Sequence, residues 1–402
     1  MNETTPQKVT DHPALPRESY GRIFLRFLRF GFLAWGGPVA QIAMIRKELV
    51  DEEKWVSSEH FNRALAVYQI LPGPEAHELC VYFGMLSRGR LGGFLAGLGF
   101  MLPGFCLMFL LSWLYVTFGI NSVFFNALFY GCQAAVAALI VRAVHRIGRH
   151  ALFDLSLLGI AALAYLAEVS KVHFLFILIA SGFIYLFFKK KFHLAALLCG
   201  LGLLAASYFA YRNGSVLKGF GEKVALSAPS LWTLFGSGLR SGLLTFGGAY
   251  TVIPFLQHDA VEVGAWMTNT QFLNGLALSG IIPAPLIIFS TFVGYLGGGP
   301  LGALLMTVGI FFPAFAFTLV GHGLIERLIR HKALHAFLDG VTAGVVGLIA
   351  AAAGTLLQSA LINLPAVGIF IASILILYRW QAKGATALVV VGAGILGLLF
   401  FL

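Results

Sequence analysis

The pattern R-x-G-x-L-x-aromatic-G-G occurs twice in this chain, as Arg29-Phe30-Gly31-Phe32-Leu33-Ala34-Trp35-Gly36-Gly37 and as Arg240-Ser241-Gly242-Leu243-Leu244-Thr245-Phe246-Gly247-Gly248. The match continues at the same offset: Trp55 with Trp266, Phe61 with Phe272, Leu65-Ala66 with Leu276-Ala277, and Pro72-x-Pro74 with Pro283-x-Pro285. After a one-residue gap come Gly84 with Gly294, Leu91-Gly92 with Leu301-Gly302, Gly99 with Gly309, and Pro103-x-Phe105 with Pro313-x-Phe315. Apolar segments resemble one another through composition alone, but composition does not hold Gly, Pro and Trp in one register over such a run. The chain is a duplication.

What is duplicated is hydrophobic. Of 402 residues 59% are hydrophobic and 11% charged, with a mean hydropathy of +0.87, against about 25% charged in an ordinary soluble domain. The fold class expected is therefore an all-α polytopic membrane protein of two inverted-topology repeats, each with about six helical segments, plus one linker span. Apolar segments fall near 24–45, 62–86, 91–117, 122–141, 151–168 and 172–188 in the first half. Those of the second half fall near 235–256, 271–294, 300–321, 334–358, 361–378 and 384–402, and an unmatched one lies near 193–211. The expected division is a cytoplasmic tail over 1–20, a first repeat over 21–191, a linker over 192–230 and a second repeat over 231–402. The polar, proline-containing first 18 residues do not have the form of a secretory signal peptide.

An even number of segments per half followed by one linker turns the second half upside down, and the basic loops agree. Arg142, Arg146 and Arg149 follow the fourth segment, whereas the matching loop 359–364 has no basic residue. The turn 119–122 is uncharged, whereas its counterpart carries Arg327, Arg330 and Lys332. Lys189-Lys190-Lys191, Arg88, Arg90, Arg379 and Lys383 fall on the same side, which the positive-inside rule makes cytoplasmic, with a cytoplasmic N-terminus. Arg46, Lys47 and Lys54, and Arg212, Lys218 and Lys223, fit this map less well, being placed outside. The net charge of +10 is spread over such loops, so no nucleic-acid groove is expected. Cys80, Cys106, Cys132 and Cys199 show no ligand spacing, so neither a metal site nor a disulfide framework is expected, and no cofactor is implied.

Pro72-Gly73-Pro74 and Pro283-Ala284-Pro285 interrupt apolar helices. A proline in a helix removes a backbone bond at a cost of ~3 kcal/mol, and lipid offers no water to replace it, so such breaks are expected to face the protein interior or a wet cavity. The helix that restarts there presents unpaired N–H groups and the positive end of its dipole, which attract an anion. Gly36-Gly37 and Gly247-Gly248 open backbone to close approach, and Arg29 and Arg240 supply planar donors suited to a tetrahedral oxyanion. The candidate substrate-binding residues are thus Arg29, Gly36, Gly37, Pro72, Gly73, Pro74, Arg240, Gly247, Gly248, Pro283 and Pro285, while Arg22 and Arg26 are expected to be interfacial snorkels. Glu75, His77 and Glu78 are candidates for coupling or gating, since intramembrane acids are costly and often carry protons. They belong to one half only: Leu286 and Phe289 stand at the positions of Glu75 and Glu78. No catalytic residue is assigned, because no HExxH, GxSxG or paired-Asp motif is present, and no phosphate-binding GxxxxGK[ST] loop is found.

These residues resemble the chromate ion transporter family in its long, two-domain bacterial form. The resemblance rests on the doubled aromatic-Gly-Gly, on KWVSSEHF at 54–61, on LPGPEAHELCVYFG at 71–84, and on the Leu-Pro-Gly and Phe-Pro-Ala runs at 102–104 and 312–314. It covers nearly the whole chain from about residue 20, and it departs at Gln41, where a His is expected. The resemblance implies a multi-pass permease of the bacterial inner membrane that exports chromate, in exchange or competition with sulfate, by secondary transport with sulfate or proton coupling. An anion channel, or a sulfate-type permease of the same design, is the alternative. Chromate or sulfate and the lipid bilayer are the expected partners, with a homodimer as the candidate assembly.

Overall fold

A computed structural model describes residues 17–69, 71–119, 122–213, 228–246, 248–321, 332–380, 382 and 384–402. Among them the chain is helical throughout, with no strand. Most of the N-terminal tail, Gly247, and the basic residues Lys218, Lys223, Arg327, Arg330 and Lys383 lie outside the described residues.

Each half opens with two helical hairpins. In the first, α1 (Tyr20–Phe32) begins at Ser19, whose hydroxyl accepts from Arg22 N, and α2 (Pro38–Ile45) begins after Gly37 and continues as a π-helical stretch, Arg46–Glu52. A straight span would hold Arg29 and Glu48 about 28 Å apart at 1.5 Å per residue. Instead Arg29 pairs with Glu48, and Arg26 reaches Glu48 at 3.0 Å and Glu53 at 2.6 Å, so the chain has reversed. The second half repeats this: α9 (Leu231–Leu243) is followed by a 3-10 turn (Ala249–Thr251), α10 (Val252–Gln257) and a π-helical stretch (His258–Val263). There Arg240 pairs with Asp259, whose Oδ2 accepts from Ser237 Oγ at 2.6 Å. The segments 24–45 and 235–256, expected above as single spans, are hairpins. The reversal uses Gly36 and Gly37, whose φ values of 88° and 79° are closed to most other residues. Hydropathy registers apolar length and is blind to a change of direction.

The second hairpin pairs α3 (Ser58–Tyr68) with the start of α4 (Glu75–Leu114) across the proline turn: His60 meets Tyr82 at 2.5 Å, and the Phe61 and Phe83 rings lie 6.2 Å apart. Its counterpart pairs α11 (Asn269–Gly280) with a 3-10 turn (Leu286–Phe289) and the start of α12 (Ser290–Leu319), through Phe272 and Phe289 at 4.8 Å and a bond from Trp266 Nε1 to Val293 O. Both α4 and α12 then turn a tight corner, at Arg88-Gly89 and at Gly298-Gly299, with φ of 67° at Gly89 and 60° at Gly299. Past the corner the helices double back so closely that a Cβ on Gly84 would stand 2.5 Å from Gly92 O, and one on Gly294 2.4 Å from Gly302 O. The left-handed Lys54 and Ala265, each just before a repeated Trp, mark the same correspondence.

The rest is simple helix: α5 (Val123–Ala151), α6 (Leu155–Val169), α7 (Phe174–Lys189) and α8 (His193–Asn213), then α13 (Lys332–Ala360), α14 (Leu364–Arg379) and α15 (Ala385–Phe401). Glu75–Phe118, Val123–Ala151, His193–Arg212, Leu286–Leu319 and Leu334–Ala360 are long and apolar enough to cross a bilayer, while α6, α7, α14 and α15 are shorter apolar helices. The chain is an all-α polytopic membrane protein. Its halves interlock with exchanged contacts: α5 packs on α14 and α15 of the other half, α13 packs on α6 and α7, and the like pairs α5 with α13 and α4 with α12 meet each other. Such reciprocity is what a two-fold relation between the halves produces. Small residues allow the approach, as at Gly131, where a Cβ would fall 2.0 Å from Ala393 O, and at Gly340, 2.4 Å from Ser181 O.

The hairpin of α1 and α2 makes a topological prediction. Cysteines placed at Lys47 and at Lys190 are expected to react with an impermeant thiol reagent from the same side of sealed vesicles; reaction from opposite sides restores a straight span at 24–45.

Candidate functional site

The hairpin tips meet across the halves: Gly73 against Thr245, and Trp35, Gly36, Gly37 and Pro38 around one cavity with Ile282 and Ala284. Away from the tips, helix N-termini are capped by side chains: Ser57 for α3, Ser122 for α5, Asp154 for α6, Ser230 for α9, Thr268 for α11 and Asn363 for α14. At the tips the helices restart after Gly37, Pro74, Gly248 and Pro285, and none of these four supplies a side-chain cap. A tip amide of one half is used by the other, since Gly73 N donates to Thr245 O at 2.9 Å. Gln41, fully buried, donates Nε2 to Ala34 O at 2.9 Å and so braces the first tip.

Beside these tips lies a cavity of about 140 Å³. Its wall includes Trp35, Gly36, Gly37 and Pro38 of the first tip, Ile282, Ala284 and Leu286 of the last, Tyr250, and Arg142 and Arg146 of α5. Trp380 and Thr386, from the turn between α14 and α15, close one side. The two arginines stand one helical turn apart and therefore share a face of α5. Arg146 lies over the Tyr250 ring at 5.9 Å and within electrostatic reach of Glu75. Among the described residues neither Arg142 nor Arg146 has a carboxylate within ion-pairing distance. An uncapped helix N-terminus and two guanidinium groups without a carboxylate partner around a space of a few water volumes are donors of the kind an anion binds.

The sequence-predicted residues divide. Gly36 and Gly37 line the cavity, Pro283 and Pro285 flank its wall residues, and Glu75, not itself a lining residue, lies within electrostatic reach of Arg146. Pro72, Gly73 and Pro74 form the buried tip bonded to Thr245, and Gly248 starts the turn that carries Tyr250. Arg29 and Arg240 do not line the cavity. Each is held by an acid at the same place in its repeat, Glu48 or Asp259, and Arg240 also lies 5.1 Å over the Phe174 ring. Arg26, expected as a snorkel, is 17% exposed and gripped by Glu18, Glu48 and Glu53. His77 and Glu78 are fully buried; neither oxygen of Glu78 has a hydrogen-bond partner, and the His77 ring is packed at 4.9 Å from Phe311 and 4.7 Å from Phe315. Sequence reasoning used Arg142 and Arg146 only as loop markers. The signal available was their i, i+4 spacing inside an otherwise apolar helix; the repeated acids Glu48 and Asp259 were visible at the same offset as the repeated arginines.

A family model described as "Chromate transporter" matches this chain twice, over residues 21–208 and 232–398. A chromate transport protein of Pseudomonas aeruginosa is 52% identical over 98% of this chain and 97% of its own length. A chromate transport protein of Cupriavidus metallidurans is 28% identical over 100% and 99%, and a probable chromate transport protein of Synechococcus elongatus 29% identical over 97% of each. No solved structure matches the chain.

The two arginine clasps differ in burial, Asp259 being 4% exposed and Glu48 22%. Asp259→Asn, which strands Arg240 and Ser237, is expected to cost about 2 kcal/mol of stability, and Glu48→Gln less than about 1 kcal/mol, as for solvent-screened pairs. Thermal unfolding in detergent measures the order; equal losses would show that burial does not separate the clasps.

Proposed function

The chain belongs to the chromate transporter family, and we propose that it is a secondary transporter that exports chromate across the bacterial inner membrane, its tetrahedral dianion resting in the cavity between Arg142, Arg146 and the N-terminus of α2. The observation that carries this reading is the pair of unpaired arginines facing an uncapped helix start. Two cations and a helix dipole offset a dianion's charge where lipid surrounds the protein, and the amides of Gly36 and Gly37 have no side chain in front of them. Pro283 and Pro285 hold the facing tip in place. Arg29 and Arg240 act at a distance, as clasps that keep the glycine tips at the cavity.

The halves are inverted repeats, over 21–191 and 231–402, joined by α8. With hairpins in place of the first two spans, the path gives the first half four crossings, and returns Arg46, Lys47 and Lys54 to the cytoplasmic side along with the N-terminus. That resolves one of the two misfits with the positive-inside rule. The cavity then opens toward the cytoplasm, on the side of Arg149 and Arg379. Export of a dianion from a cell negative inside is favoured by ~2.3 kcal/mol per charge per 100 mV, or about twice that in total. Glu75 couples protons to this movement: an ionised carboxylate weakens anion binding at Arg146, and its protonation restores it. His77 and Glu78, in the closed tip beside Gly73, serve as the gate. Sulfate, of the same shape and charge, competes or exchanges.

Purified protein in liposomes tests this with labelled chromate and sulfate. Arg142→Gln and Arg146→Gln are each expected to weaken chromate binding at least about tenfold, the value of one lost charge-assisted contact, while the protein folds normally. Unchanged affinity in both variants removes the cavity as the substrate site. Glu75→Gln is expected to flatten the pH dependence of exchange more than it lowers the maximal rate; an unaltered profile removes Glu75 from coupling. Flux far above carrier turnover and without exchange would identify a channel.

A further inference from the structure

At the far end of the second glycine hairpin, away from the cavity, a group of titratable side chains gathers that the transport reading does not use. The π-helical stretch His258–Val263 meets the short turn between α6 and α7. Lys171 Nζ bonds Glu262 Oε2 at 3.0 Å, and His258 Nδ1 approaches the same oxygen at 3.6 Å. The His258 ring stands 6.2 Å from the His173 ring and 5.5 Å from Phe174. Glu168, in the last turn of α6, has its Oε2 buried without a hydrogen-bond partner and lies within electrostatic reach of His258, Glu262 and Lys171.

We infer that Glu168, His258 and Glu262 form a proton-binding site, distinct from the cavity, that sets the position of the second glycine hairpin. The charged groups facing it are Lys171 and His173 in the turn, and Arg240 and Asp259 in the hairpin, where they are already paired. α8, whose last turn carries Arg212, lines a pocket with Lys171 through Phe209 and Ala210, and the one acid of α13, Asp339, lies within electrostatic reach of Lys189 and Asp154 instead. A carboxyl with an orphaned buried oxygen is compensated only through its neighbours. With both carboxylates ionised and Lys171 charged the group is net negative; uptake of one proton neutralises it and changes the attraction between the α6–α7 turn and the hairpin base. The base is tied to α9 by the Arg240 and Asp259 clasp and by Ser237, and the other end of the hairpin presents Tyr250 to the cavity. A shift at the base is thus delivered to the substrate site by a rigid lever. The site is read from geometry that does not involve Arg142 or Arg146, so it stands or falls separately from the substrate assignment.

Full-length protein in liposomes supplies the test. The pH-difference infrared spectrum is expected to contain a carboxyl C=O band that titrates between about pH 5 and 8, vanishes in Glu168→Gln and shifts in His258→Gln. It should persist in Arg142→Gln, whose defect is expected at the substrate cavity alone. Chromate exchange in the wild type is expected to change about tenfold across that range, and less than about twofold in Glu168→Gln, with rates at the favourable pH retained. A band untouched by both Glu168→Gln and His258→Gln overturns the site. A lost band with an unaltered exchange profile overturns its action on the hairpin.

Discussion

Everything in this structure depends on what happens to backbone polar groups where helices stop inside a membrane. Lipid offers no partner for a free N–H or C=O, so each interruption is paired with protein or faces a polar cavity. Of the four tips, that at 69–74 is closed by Gly73 N donating to Thr245 O, and the first is braced by Gln41 on Ala34 O. In the second glycine tip Thr251 Oγ1 returns a bond to Gly248 O, and Thr245 Oγ1 one to Ser241 O. The N-terminus of α2 is left for the cavity. The proposed anion site uses that shortage of caps and needs no dedicated binding loop.

The pairing across halves explains why a duplicated chain is useful here. Two hairpins of about 13 residues per arm do not cross a bilayer and have no stable place by themselves. Against the tips of the other half they share partners, as Gly73 N does with Thr245 O. The clasps Arg29 with Glu48 and Arg240 with Asp259 stand at the bases of these hairpins and hold their arms together, which is why the arginines repeat although neither touches the cavity.

The residues proposed for function stand where the repeat fails. Arg142 and Arg146 have no arginine counterpart in α13, and Glu75, His77 and Glu78 have none in the second half. Symmetric residues, the glycines and prolines, build the frame. Asymmetric ones carry charge. The sequence announced the first class clearly, because Gly, Pro and Trp in register stand out against an apolar background. It also announced the acids, because charge in such a segment is rare. The arginines of the cavity were hidden by their proximity to a basic loop, where a cation has a sufficient explanation in topology.

The fold class, the duplication and the positions of the breaks were determined by the sequence alone, since each follows from local physical chemistry: apolar length, proline's missing donor, glycine's open backbone. Direction was decided only by tertiary structure. Hydropathy is the same for a chain that continues through the bilayer and for one that turns back at Gly36-Gly37, and only the ion pairs across the hairpin distinguish them. A repeated arginine is a ligand or a clasp according to whether an acid reaches it, and the acids that reach Arg29 and Arg240 lie 19 residues further along the chain, brought back by a reversal that no local pattern contains.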